Sequence, residues 1–148
     1  MTQLFGGFTN PFSRKRQHSR HKILLDAAMA ACALVALADD DERLAELAMR
    51  DRVLVRLKEL EDFDTQKAID IYDRYVQLMI RDKDDGRKVA LEHLLKVRDN
   101  RQDSERLVKI CLAIGRADHT FSPRERSVVE EICRSLDLHP GDLGVYDL

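Results

Sequence analysis

The stretch that most constrains the fold is VKICLAIGRADHTFSPRERSVVEEICRSLDLHP, residues 108–140, because it reads as one supersecondary unit that an earlier part of the chain repeats. An apolar helix ends near Ala117, a polar loop carries Asp118, and a second helix opens at Ser122 with Pro123 and Glu125 behind it. Ser at the N-cap, Pro at N1 and Glu at N3 spell a capping box. The Ser oxygen accepts an orphan backbone N–H, and the Glu side chain reaches back to the cap's own N–H. An offset of 79 residues lays Cys111 to Asp118 on Cys32 to Asp39, and Glu125 on Glu46. The chain therefore reads as a degenerate duplication of a helix, acidic loop, helix unit.

A chain of 148 residues with 44% apolar side chains and only three prolines has room for one buried core and few interruptions of its helices. No apolar run approaches the ~18 residues that cross a bilayer. The N-terminus has neither an apolar signal core nor a small-residue cleavage site, so the expected location is the cytoplasm. Three cysteines without a C-x-x-C pair make neither a disulfide framework nor a zinc site. Cys32, Cys111 and Cys133 read as small buried hydrophobes.

Charge is unevenly distributed. Residues 1–22 hold Arg14, Lys15, Arg16, Arg20 and Lys22 and no acid, whereas the rest of the chain sets 20 cations against 27 carboxylates. A basic segment on an acidic body suggests two different partners. Without helical periodicity, residues 1–22 read as a flexible tail that carries Phe5, Phe8 and Phe12 beside its cations. That combination suits an anionic membrane surface. Nucleic acid is disfavoured, because the acidic body opposes any footprint wider than the tail.

Residues 23–148 read as one helical domain. Helix one spans about 22–38 and is apolar on nearly every side, as a central helix is. Helix two, about 43–61, opens on the run Asp39 to Glu42, whose acids complement the helix dipole. Asp64 caps a third helix over 65–81 with a core stripe of Ile69, Tyr72, Tyr75 or Val76, and Met79. Asp82 to Gly86 is a turn by composition, and a short helix over 87–97 carries Ala90, Leu91, Leu94, Leu95 and His93, which reads as a surface or half-buried histidine rather than a ligand. Asp103 or Ser104 caps helix five. The pair His139-Pro140 stops helix six, after which Leu143, Val145 and Leu148 can fold back on the body. The expected fold is all-α, a compact bundle of six or seven helices built from two degenerate helix, acidic loop, helix repeats, with helices one and five in its middle.

No nucleophile stands at motif spacing from a base, and no phosphate-cradling Gly-rich loop or H-E-x-x-H is present, so the pattern argues against an enzyme. The acidic loops offer hard oxygens for Ca²⁺ or Mg²⁺: Asp118, Thr120 or Ser122, and Glu125 in one, and Asp39, Asp40 and Asp41 with Glu46 in the other. Helix capping accounts for the same acids without any ion and is the favoured reading of the residues, because capping boxes are common and the second loop has few carboxylates for a hard cation.

The second unit, AIGRADHTFSPRERSVVEEICRSLDLHP, resembles the closing portion of the tellurite-resistance TerB family, whose repeats show Ala-x-x-Asp-Gly ahead of an apolar residue and a Glu, and end in Ile-Cys-x-x-Leu. The first unit, ACALVALADDDERLAELAM, resembles that family's earlier repeat, and the likeness runs from about Lys22 to Leu143. It implies an all-helical, non-enzymatic stress-response domain with divalent metal at Asp118 and Glu125 and at Asp39 or Asp40 and Glu46. It also implies work at the inner face of the cytoplasmic membrane, with an integral membrane partner and Ca²⁺-binding partners. The family's Gly after the Asp is His119 here and Asp40 in the first loop. Thr120 replaces what is often an acid, and Glu42 stands where the first loop would bury an aliphatic side chain.

Overall fold

The computed structural model describes residues 11–38, 47–53, 55, 64–115 and 121–147, and among them there is helix and turn but no strand. Six helices follow one another: α1 (Pro11–Ala36), α2 (47–53), α3 (Thr65–Arg81), α4 (Lys83–Leu94), α5 (Arg101–Gly115) and α6 (Pro123–Ser135). The all-α expectation holds. The two acidic loops on which the duplication rests, 39–46 and 116–120, lie outside the described residues.

Helix α1 is the hub. Every residue from Leu24 to Leu37 except Asp26 is buried, and the helix packs against α3, α4, α5 and α6. Its alanines at 27, 28, 30, 31, 33 and 36 allow neighbours to approach from several sides at once. The expectation that helix five shares the middle holds only in part, since α3 and α4 pack on each other and on α1, while α5 lies against α1 and α6.

Helix α1 also starts earlier than its pattern suggests. Residues 11–22, read as part of a flexible tail, are its first turns. Pro11 occupies N1, where its missing N–H costs nothing. Arg, Lys and Gln propagate a helix well, and extending one already nucleated by a buried segment is cheap. The sequence over 11–22 has no apolar periodicity, so periodicity gave no sign of a helix there.

Local chemistry sets the next elements. The Asp64 carboxylate caps α3 by accepting the Lys67 N–H at 3.2 Å, and the helix buries Ala68, Ile69, Ile71, Tyr72, Tyr75, Val76 and Met79. Arg50 of α2 reaches Asp73 of α3 at 3.2 and 3.3 Å. The expected turn over Asp82 to Gly86 shrinks to Asp82 alone. Its N–H donates to the Leu78 carbonyl at 3.1 Å, closing α3, while its carboxylate accepts the Asp85 N–H at 3.1 Å, opening α4. Gly86 falls inside α4 because a Cβ there would stand 2.5 Å from the Met79 nitrogen and 2.6 Å from its Cα. Its role is close helix approach.

After α4 a 3₁₀ turn over Leu95–Val97 leads to α5. The cap of α5 is Asn100, whose side-chain oxygen accepts the Asp103 N–H at 3.0 Å, and neither Asp103 nor Ser104 serves. Ser104 is fully buried and its hydroxyl donates to the Val97 carbonyl at 2.9 Å. Helix α6 ends in a Schellman arrangement, with Asp137 at φ 58° and the Leu138 N–H donating to the Cys133 carbonyl at 2.8 Å. Arg98 holds the Asp137 carboxylate at 2.9 Å. Two 3₁₀ turns, Pro140–Leu143 and Val145–Asp147, then fold back, with Val145 fully buried. Leu148 is outside the described residues.

All three cysteines are free and buried. The neighbouring Cys111 thiol, and then burial, raise Cys32 well above its ordinary value. Burial first, and Cys111 next, push Cys133 from 9.0 up to about 11. A thiol that holds its proton more tightly when folded contributes its stability in full below its unfolded pKa and loses it as pH rises through the folded one. The melting temperature is therefore expected to hold up to about pH 9 and fall between 9 and 11. The fall should be shallower in Cys133→Ala, as read by circular dichroism.

Candidate functional site

Of the predicted loop carboxylates the structure describes Glu125; Asp118, Asp39, Asp40, Asp41 and Glu46 lie outside the described residues. The capping box forms as the spacing implies. Ser122 Oγ accepts the Glu125 N–H at 3.1 Å, and Glu125 Oε1 accepts the Ser122 N–H at 3.0 Å. Phe121, the apolar residue just ahead of the cap, is 5% exposed, and Glu125 is 8% exposed. Among the described residues no three or more His, Cys, Asp or Glu side chains come together as a metal site would require. Glu125 thus has a complete structural task. Ser122→Ala should cost about 0.5–2 kcal/mol. Glu125→Gln, which keeps the carbonyl acceptor the box needs, should be near neutral in urea denaturation.

The N-terminal cations divide. Arg14, Lys15 and Arg16 lie on the first turns of α1. Arg20 bonds Asp103 at 3.3 Å, tying α1 to the first turn of α5, an exposed pair worth at most about 1 kcal/mol. Lys22 instead lines a cleft of about 480 Å³ with Ile23, Asp26, Lys67, Asp70, Ile71, Arg74, His93 and Lys96.

The wall of this cleft is a bonded group that the sequence did not disclose. Asp26 is the single polar residue in the buried run of α1. Its Oδ2 accepts the Tyr75 hydroxyl of α3 at 2.8 Å and lies 3.1 Å from His93 Nδ1 of α4. An ionised carboxylate can only accept, so Nδ1 carries the hydrogen. The Tyr75 and His93 rings meet edge to face with centroids 5.8 Å apart. Burial, followed by the bond to Asp26, raises Tyr75 far above the ordinary phenol value, so it remains a donor. Together the three side chains pin α1, α3 and α4. Tyr75 and His93 lie 49 and 67 residues from Asp26 along the chain, where no local motif could reveal them. The one available signal was a lone carboxylate inside an apolar helix, which needs partners when half-buried.

A His–Asp pair can orient a general base, but such a base needs a nucleophile or substrate proton to act on. None of the residues that line the cleft is Ser, Thr or Cys. What the arrangement does chemically is hold a carboxylate within the wall while cations face the opening.

The fold and this site define a small all-helical module whose described helices meet around α1. The family model described as tellurite resistance protein TerB matches residues 25–146. The chain belongs to that family, and so is a tellurite-resistance-associated module; TerB domains are not known as enzymes. Neither the curated proteins nor the solved structures give a match.

Proposed function

We propose that this chain serves tellurite resistance as a non-catalytic docking module. Its acidic body meets a protein partner of the resistance system, and the cationic first turns of α1 hold it against anionic lipid at the inner face of the cytoplasmic membrane. The observation that carries this reading is the segregation of charge, with five cations and no carboxylate in residues 1–22 against 27 carboxylates and 20 cations in the remainder. Support comes from the continuity of α1, because cations on the outer turns of a helix whose other end is the hub of the core would couple a surface contact directly to the body. No described helix is long and apolar enough to cross a membrane, so the contact in this reading is peripheral. Glu125 at the start of α6 acts here as part of a cap.

The test replaces Arg14, Lys15 and Arg16 together with Glu and measures co-sedimentation with phosphatidylglycerol vesicles. Each cation near an anionic surface contributes about 1 kcal/mol, so losing three, with three carboxylates in their place, should weaken partitioning by at least about a hundredfold. Binding equal to that of the parent would end the reading.

A further inference from the structure

We propose that the cleft between α1, α3 and α4 is a binding site for a phosphate ester, separate from the N-terminal surface contact. Four cations line it: Lys22 from α1, Lys67 and Arg74 from α3, and Lys96 from the 3₁₀ turn after α4. All four are exposed, and among the described residues none is in an ion pair. Two carboxylates share the cleft, and both are engaged. Asp26 takes the Tyr75 hydroxyl and His93, and Asp70 accepts from Gln66 at 3.0 Å. On a body that is acidic overall, this concentrates positive potential in a concave site, which is how anionic ligands are drawn in and held. The volume of about 480 Å³ falls in the range of small-molecule sites, about 300–1,000 Å³. A bare oxyanion would leave most of it empty. Ile23 and Ile71 provide apolar surface for the remainder of the ligand. Arg74 supplies the planar fork that suits paired phosphate oxygens, and the lysines add point charges. His93, aligned by Asp26, is the remaining polar group on the wall. The chemistry recognised is therefore a phosphate group joined to a compact, less polar body.

The experiment is a titration of the full chain with adenosine monophosphate, with inorganic phosphate and with phosphatidylglycerol vesicles, at ionic strength held constant by chloride and followed by amide NMR. It is repeated on Arg74→Gln and on Arg74→Gln with Lys96→Gln, exposed positions where folding is expected to survive; amide dispersion confirms it. The expected result is saturable shifts at the cleft with adenosine monophosphate, weaker with inorganic phosphate. Affinity should fall about tenfold for each cation lost, as for a charge-assisted hydrogen bond. Saturation by vesicles alone that is lost in the double variant also supports the site and assigns its phosphate to a lipid headgroup. The proposal is overturned if the soluble probes give no saturable response and vesicle binding ignores Arg74 and Lys96, or if the variants bind as the parent does. Vesicle binding that depends only on residues 14–16, with no saturable response to either soluble probe, would uphold the docking reading while removing this one.

Discussion

Gly86→Ala is expected to destabilise the protein by about 1–3 kcal/mol, although alanine ordinarily favours a helix over glycine by about 1 kcal/mol. The added Cβ would lie 2.5 Å from the Met79 nitrogen, 2.6 Å from its Cα and 2.7 Å from the Leu78 carbonyl carbon. All three are backbone atoms, so no side chain can swing aside, and α4 must move off α3. That movement would also pull His93 away from Asp26 and Tyr75, which lie on the two helices that α4 packs against. Urea denaturation gives the magnitude, and the His93 ring resonances report whether the three-helix junction loosens with it. A variant as stable as the parent would mean that α3 and α4 are not packed this closely.

Met29→Ala is expected to cost about 2–5 kcal/mol, the range for deleting a large buried side chain where the surroundings cannot fully collapse. Met29 is fully buried on α1, among alanines that are already small, so little neighbouring side chain is available to fill the space. Because α1 touches α3, α4, α5 and α6, the loss should appear as one cooperative transition with a lower midpoint, the same by near- and far-ultraviolet circular dichroism. A loss under about 1 kcal/mol would contradict the placing of α1 at the centre.

What could be read in the sequence is what short-range chemistry decides. Asp64 ahead of a regular apolar spacing gave the bounds of α3, and Ser122, Pro123 and Glu125 gave the start of α6, because a cap is settled within one turn of chain. Breadth of apolar character in residues 24–37 gave α1 its central place. Tertiary contact decided the rest. The Asp-Asp-Gly run at 84–86 has the composition of a turn, yet the close approach of α3 makes glycine necessary inside a helix. Asn100 displaced Asp103 and Ser104 as a cap once Ser104 was buried against Val97. The Asp26, Tyr75 and His93 group comes from three helices, and the cationic cleft from the spacing between them. Glu125 was legible as a cap because Ser122 and Glu125 stand three residues apart.

In the proposed function, the cationic N-terminal turns of this TerB-family chain meet anionic lipid. The most direct measurement is amide NMR of the full chain with nanodiscs of phosphatidylglycerol and, separately, of phosphatidylcholine. With phosphatidylglycerol, the account predicts line broadening concentrated in residues 11–22 and reversed by about 0.5 M salt, where the Debye length falls to a few ångströms. With phosphatidylcholine, it predicts none. Equal broadening with both lipids, or spectra unchanged by either, would contradict it.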